Sequence, residues 1–112
     1  MDKGWQHNYD AGKKAFEEKR YDDAMKYLAK VACEKTTYSD VFNMLGLIYY
    51  YKGRFQDAVN SFKRAIETNP RYTEASLNLS VVYNELGRFD RAREAYAMAK
   101  ESRNEAHSYL DP

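Results

Sequence analysis

The chain has 112 residues, of which 44% are apolar, 31% charged and 15% aromatic, with a net charge of +1. Folding a chain of this length removes roughly 65% of its unfolded surface, enough for one core and too little for two. The balanced charge excludes a general nucleic-acid or anionic-membrane binder, which needs a clustered positive surplus. No apolar run is long enough to span a bilayer, and no apolar segment of a secretory signal opens the chain, so a cytoplasmic location is expected. A lone cysteine, Cys33, excludes an internal disulfide.

Helical spacing runs along the whole chain. First-unit helices are expected over 5–18 and 22–34, with Lys19 at the turn between them. Val41, Leu45, Ile48 and Tyr49 fall at i, i+4, i+7 and i+8, one face of a helix over 39–52. Gly53 ends it, because glycine takes the left-handed position after a helix without steric cost. Phe55, Ala58, Phe62 and Ala65 mark a helix over 56–68, which Asn69-Pro70 closes, since the residue before proline is pushed out of the α region. A third pair follows over 73–86 and 90–103, broken at Gly87. Asp22 and Asp90 stand near second-helix starts, where a carboxylate favours the positive dipole end. A left-handed turn at Lys19 costs about 1 kcal/mol, so the first turn is expected to be the loosest.

The second and third pairs are copies. Leu45 and Leu79, Tyr49 and Tyr83, Gly53 and Gly87, Arg54 and Arg88, Phe55 and Phe89, Ala58 and Ala92, and Ala65 and Ala99 are each 34 residues apart. A weaker first copy aligns Gly12 with Gly46, Arg20 with Arg54, Tyr21 with Phe55 and Ala24 with Ala58. Gly46 and Ser80, facing Ala58 and Ala92, predict close approach of two helices, with Phe62 and Tyr96 filling the space beyond. A single hairpin cannot bury such a surface, so the units must stack.

These residues resemble the tetratricopeptide repeat family, as units 5–38, 39–72 and 73–106 of one domain spanning 1–112, with 107–112 a short tail or the start of a further helix. Leu45-Gly46, Tyr49, Gly53, Phe55, Ala58, Phe62, Ala65 and Pro70 carry the resemblance. Phe42 fits the family's aromatic slot near the unit start; Asn8 and Ser76 depart from it, as Asn104 does from the closing proline. The resemblance implies an all-α, right-handed α-solenoid of three helix-turn-helix repeats. It implies a non-catalytic protein–protein interaction module, with no cofactor or metal, that binds a peptide or protein segment in a concave groove.

Carried over from the family, the ligand-contact positions are Tyr9, Lys13 and Phe16; Asp40, Asn43, Leu47, Tyr50 and Tyr51; and Glu74, Leu77, Val81, Asn84 and Glu85. Spacing alone puts Asn43, Leu47 and Tyr50 on one face, opposite Val41, Leu45 and Ile48. An apolar, aromatic patch where a solvated face should be charged marks a binding surface for an extended or amphipathic helical peptide with apolar anchors; some of these side chains instead pack between adjacent first helices on the plainer reading. A three-unit surface is small, and affinities of roughly 1–100 μM follow. The slots that clamp a carboxylate in chaperone adaptors of this family hold Tyr9, Lys13, Met44, Glu74 and Asn78 here, with no cationic pair and one repelling carboxylate.

The two ends differ. His7 and Lys14 replace the apolar pairs Val41 and Ile48, Ala75 and Val82, giving the first unit the polar outer face of a capping repeat. Past the last unit no covering helix is encoded, and Ala95, Tyr96 and Ala99 are expected to lie open. That end either continues into further repeats of a larger protein or pairs with another copy, so the alternative function is a self-assembling scaffold and a homo-oligomer. Arg20, Arg54 and Arg88 recur at the turns, either as a row for an acidic partner or as locally paired charges. His7 and His107 are too far apart in sequence to share a site, and no glycine-rich phosphate loop occurs.

Overall fold

Three tight turns decide the architecture. In a computed structural model, which describes residues 4–110 and side chains over 4–104, Lys19, Gly53 and Gly87 adopt left-handed φ angles of 62°, 76° and 75°. Around each, the same pair of bonds closes the preceding helix. The amides of Arg20, Arg54 and Arg88 donate to the carbonyls of Ala15, Tyr49 and Tyr83 at 2.8 Å, while those of Lys19, Gly53 and Gly87 donate to Phe16, Tyr50 and Asn84 at 3.0 Å. This is the Schellman closure. The lysine adopts the geometry of the two glycines at a steric cost of about 1 kcal/mol.

Each arginine also begins the next helix, its carbonyl accepting from the amide of Ala24, Ala58 or Ala92. The result is six helices: α1 (Gly4–Glu17), α2 (Tyr21–Glu34), α3 (Ser39–Tyr51), α4 (Phe55–Thr68), α5 (Thr73–Glu85) and α6 (Phe89–Leu110). No strand occurs among the described residues. Each helix packs against its neighbours in the chain, and α3 also touches α5. The fold is an all-α helical-repeat solenoid of three hairpins.

Within a hairpin, a missing Cβ sets the spacing. A Cβ added at Gly46 would lie 2.5 Å from the Phe62 ring, and one at Gly12 would lie 2.7 Å from Leu28. Both large side chains are wholly buried. The third hairpin has Ser80 in this slot, and its counterpart Tyr96 does not fill the gap as expected: the ring is 51% exposed. Ser80 already brings the atoms that the notch over Gly46 leaves out. Two apolar clusters fill the spaces between hairpins, one joining Leu28, Val31, Val41, Leu45 and Ile48, the other joining Val59, Phe62, Leu79, Val82 and Tyr83.

Five helices end within about two residues of their expected bounds, the ordinary uncertainty of helix assignment. Asn69, before Pro70, takes the extended backbone that closes α4. The sixth differs: α6 runs on to Leu110 instead of stopping at 103 and leaving a tail. Asn104 stands where the second unit has Pro70, so nothing there breaks the backbone ladder. Asp111 and Pro112 lie outside the described residues. At the other end His7 and Lys14 are exposed, whereas Val41, Ile48, Ala75 and Val82 are buried.

Gly46→Ala drives a methyl into the Phe62 ring and should lower unfolding free energy by about 1–3 kcal/mol. Ser80→Ala, at the equivalent position of the third hairpin, adds no atom to the contact and should cost less than Gly46→Ala. Urea unfolding of both variants checks the contrast; equal effects would refute the notch.

Candidate functional site

The inner faces of α1, α3 and α5 lie side by side and leave a trough. Its wider part, a hollow of about 410 Å³, is lined by Tyr9, Lys13, Phe16 and Glu17 of α1, by Asp40, Asn43, Met44 and Leu47 of α3, and by Tyr72 and Glu74. Its narrower part, about 180 Å³, lies between Leu47, Tyr50 and Tyr51 on α3 and Asn78, Val81 and Val82 on α5, with Phe62 behind. Leu47 lines both, so the two parts run into each other along α3.

The expected contact residues divide. Tyr9, Lys13, Phe16, Leu47, Tyr50, Tyr51 and Val81 all line the trough. Tyr51 and Val81 are 54% and 46% exposed, large apolar side chains facing solvent on an inner surface. Asn43 also lines it but is only 3% exposed, and its carbonyl oxygen accepts from the Asn78 amide at 3.0 Å. It holds α3 to α5 and has little surface to offer a ligand. Leu77 is half-buried and lines neither hollow. Asn84 faces a different hollow, at the far end of the stack, beside Tyr96. At that end Ala95 and Ala99 are buried rather than open. Both lie on the side of α6 that packs inward, and Tyr96 alone of the three is exposed.

Of two tyrosines that sequence reasoning passed over, Tyr72 lines the trough and Tyr38 packs on Tyr9, which lines it. Tyr38 and Tyr72 stand one period apart, each just before a first helix. Tyr38 meets Trp5 and Tyr9 edge to face, at ring distances of 5.0 and 6.2 Å. Tyr72 occupies the equivalent place over α3, beside Asn43 and Asp40. Their shared offset was the available signal. The Tyr9 hydroxyl donates to the Asp40 carboxylate, tying α1 to α3.

Burial, then the Asp40 bond and charge, push the Tyr9 hydroxyl pKa well above its ordinary value. Burial, then the charges of Glu74 and Asp40, raise that of Tyr72, while Asn43 opposes the shift. Among the described residues, none of Glu17, Asp40 and Glu74 forms an ion pair. Lys13 is the one cation lining this part of the trough.

Aromatic rings continue along the turn edge. Phe16 meets Tyr21 at 6.0 Å, Tyr21 meets Tyr51 at 5.1 Å, and Tyr50 meets both Tyr51 and Phe55 at under 6 Å. These contacts hold Tyr50 and Tyr51 in place and limit the ordering cost of a ligand contact.

The arginine row is locally paired. Arg20 bridges Glu18 and Asp23, and Arg54 bridges Asp57 at 2.8 Å while lying over the Tyr49 ring. The third unit has Arg91 in place of that aspartate, and Arg88 donates instead to Gln56 at 3.1 Å. A second cleft, of about 400 Å³, opens between α4 and α6 over Leu79 and Tyr83. Its rim pairs Lys63 with Glu67 and Arg91 with Glu94 in sequence, so it presents no net charge. Among the described residues no group of three or more His, Cys, Asp or Glu is placed to hold a metal ion, and no helix is long and apolar enough to cross a membrane.

The raised hydroxyl values carry a sign. Above pH of about 10 the unfolded chain loses these protons before the folded one, so stability present below that pH is lost as pH rises. The Tyr9→Phe/Tyr72→Phe double variant should lose less stability than the parent between about pH 9 and 11. Urea midpoints across that range check this, and parallel losses would contradict it.

A family model described as tetratricopeptide repeat matches residues 43–107, more than half of the chain. A TPR repeat-containing protein of Methanocaldococcus jannaschii is 32% identical over 78 residues, covering 70% of this chain and 14% of that protein. The ycf37 protein of Pyropia yezoensis is 34% identical over 58 residues, covering 52% of this chain and 33% of its own length. The chain thus spans a third or less of these two relatives. Among solved structures, a MamA crystal structure superposes with a TM-score of 0.89 at 23% identity, covering 94% of this chain and 61% of that one. The TPR2B domain of yeast Sti1, in complex with pHsp70, gives 0.88 at 15% identity, covering 96% and 86%. At such identities the likeness speaks to the fold.

Proposed function

Because the chain belongs to the tetratricopeptide repeat family, generally a non-catalytic protein-interaction fold, we propose that it captures a peptide or protein segment in the trough along α3. The observation that carries this reading is the exposure of Tyr51 and Val81 beside half-buried Leu47 and Tyr50. A face meant only for water would be charged at these positions. Covering Leu47, Tyr50, Tyr51 and Val81 removes apolar area from water, and the tyrosine hydroxyls remain available to hydrogen-bond a peptide backbone. The Sti1 domain, a stack of similar shape, is itself a complex with pHsp70, which supports partner binding by this architecture.

The repeats at 5–38, 39–72 and 73–106 act as one unit in this proposal, since the trough draws on all three. An acidic chaperone tail is a poor ligand for it. Glu74 and Asp40 oppose a carboxylate, Met44 is buried, and the Asn78 amide is engaged by Asn43.

Self-assembly through the far end is the weaker reading. Tyr96 there is flanked by Arg93 and Lys100. A symmetric pair would bring this patch, with two cations and no carboxylate, against a second copy of itself, since a two-fold interface joins identical patches.

Leu47→Asp/Val81→Asp places two charges in the trough at side chains that are themselves half-buried and exposed. Binding of the best peptide from a synthetic array should weaken by about tenfold or more, the effect of about 1.4 kcal/mol. Circular dichroism should be unchanged. Undiminished binding by a folded double variant would overturn the proposal.

A further inference from the structure

The two halves of the trough differ in charge. The narrow half presents Leu47, Tyr50, Tyr51 and Val81. The wide half sets Glu17, Asp40 and Glu74 around a hollow of about 410 Å³ with Lys13 as its one cation. None of the three carboxylates is neutralised by an ion pair among the described residues. Asp40 and Glu74 hold equivalent places in successive units and face the same space from α3 and α5, with the Tyr72 ring beside them. Asp40 accepts the Tyr9 hydroxyl but meets no cation, so a cationic side chain entering this wall finds two carboxylates without a counter-charge. The tyrosine rings in the same wall, Tyr9 and Tyr72, also favour a cation over an anion.

We propose that the segment captured in the trough carries a lysine or arginine that sits between Asp40 and Glu74, next to an apolar anchor held by Leu47, Tyr50, Tyr51 and Val81. This rests on the trough being the binding site. The helix gives the spacing. Leu47 lies 47 − 40 = 7 residues and Tyr51 lies 51 − 40 = 11 residues beyond Asp40, about 10 to 16 Å along α3 at its rise per residue. An extended peptide advances about 3.3 Å per residue, so the basic residue stands about three to five residues from the anchor. The polarity is also set: the basic end lies toward the start of α3 and the anchor toward its end.

A peptide array tests this. Each member carries a Leu-Phe pair and, three to five residues away, arginine, glutamine or glutamate, with the remaining positions randomised among small polar residues. Fluorescence polarisation of the strongest members against the whole chain at low salt should rank arginine above glutamine by about fivefold and glutamate below both, the size expected of partly exposed ion pairs. Glu74→Gln should shrink the arginine preference, and Asp40→Asn with Glu74→Gln should bring arginine and glutamine peptides to equal binding. Among the described residues the Glu74 side chain makes no ion pair and stands exposed at the start of α5, so the single variant reads mainly its charge. Equal binding by all three classes overturns the charge preference and leaves the trough reading standing. If no class binds, both fall.

Discussion

The structure depends on how closely two helices of a hairpin approach. Gly46 leaves a notch, and the Phe62 ring fills it from the facing helix. The same device joins Gly12 to Leu28. With the ring seated over a bare Cα, the small faces of α3 and α4 meet, and the longer side chains of each are forced outward to the next hairpin. Val41, Ile48, Leu79 and Val82 then close the seams. Because such seams repeat in one direction, the first helices come to lie side by side and their inner faces remain uncovered. The trough is thus a consequence of the packing, not a separate element.

The turns make that packing repeatable. A left-handed residue followed by an arginine closes one helix and opens the next within a few residues, always with the same bonds. Those bonds are backbone bonds that any such residue could make; the arginine side chain adds an ion pair to the carboxylate one turn along, as with Arg20 and Asp23 or Arg54 and Asp57. Where the carboxylate is lost, at Arg91, the side chain of Arg88 reaches back to Gln56 and ties two hairpins together.

Much of this could be read from residue spacing, because the decisive signals are local. Gly53, Gly87 and Asn69-Pro70 act on the backbone where they stand, and the apolar faces of α3 and α4 follow from the helical period. What spacing hid was contact between units. Asn43 shares a face with Leu47 and Tyr50, yet α5 lies against it and the Asn78 amide engages it. Ala95 and Ala99 look like an open end until α6 is seen to turn them inward. Tyr96 resembles Phe62 by position but faces Ser80 instead of a bare glycine. The continuation of α6 past 103 had a local cause, the asparagine in the proline slot, whose effect on helix length was missed. The pairing of Tyr9 with Asp40, and the place of Tyr72 above α3, depend on the offset between neighbouring first helices, which no single unit encodes.

The central claim is that a partner sits on the inner face of α1, α3 and α5. Nuclear magnetic resonance shift mapping of the isotope-labelled chain, titrated with a peptide selected from the array, tests it most directly. The largest shifts are expected at Leu47, Tyr50, Tyr51 and Val81, with smaller ones at Tyr9 and Glu74. Shifts centred on Ile66, Glu94 and Met98, in the cleft between α4 and α6, would contradict it.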